Sequence, residues 1–120
     1  MEEKFSDFWS MLDSLVESSK IIIDRPKGSA HPRYPSYIYE FDYGYLENTS
    51  SPDGSGIDIW VGTADDSSVS AIITSVDLKK RDSEIKILYS CTDDEINYIF
   101  NDHNRTDNMK GILNIRNKNK

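Results

Sequence analysis

Ile57, Ile59 and Val61 alternate with Asp58 and Trp60, and further on Ile85 and Ile87 alternate with Glu84, Lys86 and Leu88. A period of two is that of a strand with one face on a core and the other turned toward solvent or ligand. The alternation therefore commits the chain to a sheet, turns Asp58 away from the core, and sets Glu84 and Lys86 on a shared face. Val69 to Leu78 reads as a further long strand, Ile21-Ile22-Ile23 as a short β-branched one, and Ile112 to Ile115 as the last. Two helices accompany them. Phe5, Phe8, Trp9, Leu12, Leu15 and Val16 fall on one helical face, which predicts a helix over residues 4–19 that covers the domain's own core. Thr92-Asp93-Asp94-Glu95 has the form of a capping box and predicts a second helix to about Asn101. Polar residues Asn117 to Lys120 are predicted to fray.

A chain of 120 residues builds one core, and neither an internal repeat nor a low-complexity linker divides it, so residues 1–120 are read as a single domain. The expected class is mainly β, α+β: a small OB-like, partly open β-barrel of mostly antiparallel strands, with an N-terminal helix and a short late helix. An α+β sandwich is the alternative.

The net charge of −7 argues against bulk binding to nucleic acid or anionic lipid, which depends on clustered Lys and Arg. Excess acid that serves a purpose attracts cations instead. The acidic start, Met1-Glu2-Glu3-Lys4, leads straight into the amphipathic pattern, so the expectation is a cytoplasmic protein with no membrane segment. Cys91 is the sole cysteine and reads as a structural thiol.

Three segments concentrate polar residues where the strand pattern leaves them exposed. The first lies in a long Pro-, Gly- and Ser-rich loop, and brings Arg25, Lys27, His31 and Arg33 together in an otherwise acidic chain. Local positive charge of this kind suits an anion, although a solvated basic loop has the same composition. In the second, Tyr43-Gly44-Tyr45 leads to Asp53-Gly54-Ser55-Gly56-Ile57-Asp58, a turn that delivers one carboxylate on a loop and another at the start of a strand. Magnesium takes one or two such carboxylates and completes its octahedron with water and phosphate. In the third, Asp82, Glu84 and Lys86 share parity on entering a strand, which serves either a metal and a phosphate together or a set of surface ion pairs.

In that order the three segments resemble the soluble, metal-dependent inorganic pyrophosphatases. The family motif Y-G-Y, a spacer, then D-G-D-P-x-D-hydrophobic is similar to Tyr43-Gly44-Tyr45 with Asp53-Gly54-Ser55-Gly56-Ile57-Asp58-Ile59. Its upstream I-E-x-P and K-Y are similar to Ile23-Asp24-Arg25-Pro26 and Arg33-Tyr34, and its L-K-x-x-D with D-x-K to Leu78-Lys79-Lys80-Arg81-Asp82 with Glu84-Ile85-Lys86. The resemblance spans roughly residues 20 to 90. It implies Asp53, Asp58, Asp82 and Glu84 as ligands of Mg2+, with Mn2+ as the alternative. It also implies Arg33, Tyr43 and Lys86 as phosphate-binding residues, Asp53 and Asp58 at the catalytic centre, and Asp24 at the rim of the acidic cluster.

The activity implied is hydrolysis of pyrophosphate, or of a related phosphate-bearing small molecule, by metal-activated water. Ser55 stands where the family has the carboxylate that bridges metals and helps deprotonate that water, and Gly56 stands where it has proline. Pro35 falls at a further acidic position, and His103-Asn104 lies about where the family has a phosphate-binding Tyr-Lys pair. Asp42 and Glu47 are the substitute bases considered. Ser55 keeps open a second reading, a metal- and phosphate-binding domain that has lost the base. A third is an OB-type nucleic-acid module, suggested by five of the seven tyrosines lying between Tyr34 and Tyr45 and opposed by the net charge. The first helix offers a surface to a second copy of the chain.

Overall fold

The computed structural model describes residues 2–117, with side chains from Phe8 onward. Along the chain the elements are α1 (Glu2–Glu17), β1 (Ile21–Arg25), β2 (Asp42–Leu46), β3 (Ile57–Val61), β4 (Val69–Asp77), β5 (Asp82–Tyr89), α2 (Asp93–His103) and β6 (Met109–Ile115). The six strands form one mixed sheet in the order β1-β2-β3-β5-β4-β6. This is the mainly β, α+β class expected, with the sheet open: β1 and β6 stand at its two ends, and it does not close into a barrel. Phe5 and the tail from Lys118 to Lys120 lie outside the described side chains and residues.

Most neighbouring strands are antiparallel, as the turn-rich sequence suggests, but β3 and β5 are parallel, Asp58 lying against Lys86 and Trp60 against Leu88. The chain leaves β3 through residues 62–68 and lays down β4 first. It then returns by the hairpin at residues 78–81 to fill the gap between β3 and β4 with β5. That inversion places the two acid-bearing segments side by side.

Alternation along the strands feeds two cores. On one face Leu46, Ile59, Val69 and Ile87 pack with Val16, and Trp9, Leu12 and Leu15 of α1 close over them. Covering the core is thus what the aromatic and aliphatic stripe of α1 does. On the other face Ala71, Ile73 and Leu88 pack with Ile96 and Ile99 of α2 and with Tyr39 and Trp60. Ile59, Ile73, Ile87 and Leu88 are fully buried, each contributing about 1.5–3 kcal/mol by removal from water. The capping box that starts α2 is present: Thr92 Oγ1 accepts the Glu95 amide at 3.2 Å and a Glu95 carboxylate oxygen accepts the Thr92 amide at 2.9 Å. Glu95 also accepts from the Thr63 amide and hydroxyl, at 3.1 and 2.7 Å, which ties the helix to the end of β3.

Strand β2, which carries Tyr43-Gly44-Tyr45, is not expected from propensity, because its glycine dilutes the signal. Gly44 is there for close approach. A Cβ at this position would collide with the Ile22 carbonyl of β1, whose register slips between Ile22 and Arg25 where it crosses β2.

Candidate functional site

Helix α2 packs on β4 and β6, so its face of the sheet is left for other cover over β2 and β3. There the loop from residue 26 to 41 folds back and seats Tyr37, Tyr39 and Phe41 against the core. Between this loop, β2 and the turn at residues 48–56 lies a half-open cleft of about 750 Å³. Its carboxylates are Asp24, Asp53 and Asp58, its cations Arg25 and Lys80, and its rings His31, Tyr39, Tyr43 and Tyr45.

Asp58 is the best anchored of the acids. Its Oδ2 accepts the Tyr43 hydroxyl at 2.7 Å and the Lys86 ammonium at 2.6 Å. Lys86 donates also to Glu84 Oε2 and to the Tyr43 oxygen, both at 3.2 Å, so its three N–H groups are spent. Lys86 and Glu84 are each 7% exposed at the side chain and Asp58 17%. Burial works to lower the Lys86 pKa, but Tyr43, Asp58 and Glu84 outweigh it and hold the ammonium above its ordinary value. Burial likewise raises the Tyr43 hydroxyl, with Asp58 adding to it against the opposing charge of Lys86. Lysine is therefore charged and tyrosine neutral, and two carboxylates share one ammonium with a negative charge in excess.

Asp53 is held differently. The turn brings Ser55 N–H and the Ser51 hydroxyl onto its Oδ1 at 3.0 and 2.8 Å, and these donors, the amide first, keep its carboxyl below the usual range. Gly56 closes the turn at φ +96°, a left-handed conformation closed to proline, whose φ is fixed near −65°. A proline at this position would require a different turn.

Sequence reading assembles part of this site and misses part. Asp53, Asp58 and Tyr43 line the cleft, and Glu84 and Lys86 stand behind Asp58. Asp82 is not brought in: it opens β5 against Asp77, one step of the pleat beyond Glu84, and is absent from the lining. Arg33 sits on the exposed outer loop, where its amide donates to His31 Nδ1. Its charge is still felt at His31, whose pKa is lowered by burial first and then by Arg25, Arg33 and Lys80. Lys86 supports Asp58 rather than offering a free donor to the cleft.

Asp24 lines the cleft, whereas Asp42 accepts the Lys27 amide at 2.8 Å and anchors the loop, and Glu47 is exposed outside the lining. His103 lies only 5% exposed beneath Trp60, whose indole N–H donates to its Nε2 at 3.0 Å, so it lies behind the cleft and is not part of its lining. Of the basic residues in the lining, Arg25 and His31 belong to the basic loop singled out for an anion, whereas sequence reading assigns Lys80 no role and takes Arg33 in place of Arg25. Arg25 and Lys80 each sit inside a segment singled out for its charge, but which residue faces inward depends on the β1 bulge and the β4–β5 hairpin.

Hard divalent cations suit this donor set, which is all carboxylate oxygen with negative charge in excess and carries cations for an accompanying anion. Both bonds to Asp58 fall on Oδ2, leaving the lone pairs of Oδ1. Among the described residues no group of three His, Cys, Asp or Glu side chains stands close enough to hold an ion unaided. Magnesium needs only one or two such ligands when phosphate and water complete its shell. No family model matches the chain, and no curated protein matches it.

Proposed function

We propose that the cleft binds a divalent cation together with a phosphoanhydride, and that the chain is a metal-dependent hydrolase of the inorganic pyrophosphatase type, cleaving pyrophosphate to two phosphates. The observation that carries this reading is the gathering of three carboxylates and two cations in one cleft, with Asp58 fixed from behind by Tyr43 and Lys86.

Asp58 and Asp53 are the ligands for the cation, and each is immobilised by hydrogen bonds, so little ordering cost remains when the ion arrives. Arg25 and Lys80 offset phosphate charge, Arg25 being oriented by its bond to the Tyr39 hydroxyl at 3.0 Å. Bound magnesium supplies an acidified water and neutralises the leaving phosphate. Asp24 would serve as the general base, being the lining acid committed neither to Lys86 nor to the 51–55 turn.

Ser55 favours a second reading. It lines the cleft in place of a carboxylate, and a hydroxyl is no base near neutral pH, so a domain that binds cation and phosphate without turnover has the same geometry. Phosphate release from pyrophosphate with magnesium separates the two. The hydrolase predicts turnover in the wild type that Asp58→Asn abolishes and Ser55→Asp raises. An inert wild type that binds phosphate tightly would establish the second reading.

A further inference from the structure

Pyrophosphate is two phosphate groups sharing one oxygen and would leave most of a cleft of about 750 Å³ empty. That volume lies within the ~300–1,000 Å³ typical of pockets for ligands of drug size. His31, Tyr39 and Tyr45 contribute aromatic surface to the same cleft as Arg25 and Lys80. The rings at the loop end form a stack: His31 lies 11° from parallel to Tyr39 with centroids 6.2 Å apart, and Tyr39 lies 20° from parallel to Tyr43 at 5.6 Å.

His31 is part-buried and lines the cleft, with Tyr34 tilted 43° against it at 5.1 Å and Tyr37 edge-on at 6.3 Å. Its imidazole is locked on the loop because Nδ1 accepts both the Arg33 and the Tyr34 amides, at 3.0 and 3.2 Å. The aromatic surface that His31, Tyr39 and Tyr45 present to the cleft beside its cations suits a planar heterocycle whose phosphates reach Arg25 and Lys80.

Resting on the reading of the cleft as a phosphoanhydride site, we propose that its substrate class is a nucleoside di- or triphosphate, with the base stacked at His31 and the phosphate chain between Arg25, Lys80 and the carboxylates. Hydrolysis then bonds the oxygen of water to the terminal phosphorus and breaks that phosphorus's bond to the bridging oxygen. The bridging oxygen leaves with the electron pair on the shortened nucleotide; one proton of the water passes through Asp24 to solvent and the other stays on the phosphate product.

The test is calorimetric binding, with magnesium, of two probes that differ only in the nucleoside: methylene diphosphonate and the methylene-bridged analogue of adenosine diphosphate. The nucleotide analogue is expected to bind roughly tenfold tighter, as stacking of one base allows, and His31→Ala is expected to shrink that ratio to about twofold. Equal affinity for the two probes in the wild type overturns the nucleotide class while leaving the phosphoanhydride site standing. Binding of neither probe overturns the site itself. Should His31→Ala fail to fold, comparing inorganic triphosphate with adenosine triphosphate on the wild type decides the same question, with equal affinity again the refuting result.

Discussion

Replacing Lys86 by methionine keeps an unbranched side chain as far as the ε carbon and leaves Asp58 and Glu84, 17% and 7% exposed, without the ammonium between them. Breaking a buried ion pair by removing one partner costs about 3–5 kcal/mol, because the remaining charge stays desolvated and unpaired. Here two carboxylates are left, and the Tyr43 hydroxyl can serve only one of them, so the upper part of that range applies. With a urea slope near 2 kcal/mol per molar, the middle of the ~1–3 range for small domains, the unfolding midpoint falls by about 2 M.

Combining Lys86→Met with Glu84→Gln returns the cluster to the single net negative charge of the wild type and restores about half the loss. Millimolar magnesium stabilises Lys86→Met more than the wild type, since a cation that enters the cleft now meets two unneutralised acids. Urea unfolding at neutral pH, with and without magnesium, measures all three effects. A loss below about 1 kcal/mol for Lys86→Met, or no recovery on adding Glu84→Gln, would refute the buried triad as described.

Acid should weaken the fold through His103. Burial, followed by the charge of Lys86, lowers its pKa from 6.5 to about 3, so the folded state keeps it neutral while the unfolded chain protonates it. This contribution is fully present above pH 6.5 and is lost as pH falls toward 3, at about 1.4 kcal/mol per unit. Between pH 6.5 and 5 the loss is about 2 kcal/mol in urea titrations, and a flatter slope in His103→Asn identifies the group. Gly44→Ala forces a Cβ into the Ile22 carbonyl of β1; a loss of about 3 kcal/mol or an unfolded chain by circular dichroism is expected, and a wild-type melting curve contradicts the close crossing. Thr92→Ala removes one side of the capping box and costs about 1 kcal/mol, read from the thermal midpoint.

Local chemistry made much of the fold legible. The capping box needs only Thr92 and Glu95, and the period of two in β3 and β5 assigns Asp58, Glu84 and Lys86 to their faces whatever lies between. Long-range register did not show itself. That Asp58 pairs with Lys86 follows from a parallel contact made after β4 has been laid down, and no spacing along the chain encodes it. Strand β2 was hidden by Gly44, whose reason lies on the neighbouring strand. Parity correctly grouped Asp82 with Glu84 and Lys86, but the cleft ends before reaching it. The basic loop was recognisable by charge, while the choice of Arg25 over Arg33 as the inward cation depends on the irregular register of β1 with β2.

Because the readings with and without turnover both require the cleft to hold a cation and a phosphate chain, the central claim is best met by a binding measurement. Magnesium titrated calorimetrically into the protein with methylene diphosphonate present should give saturable heat, weakened at least tenfold by Asp58→Asn and by Asp53→Asn while both variants stay folded. No saturable heat in the wild type, or binding indifferent to both substitutions, would contradict the assignment of the cleft to a cation and a phosphate chain.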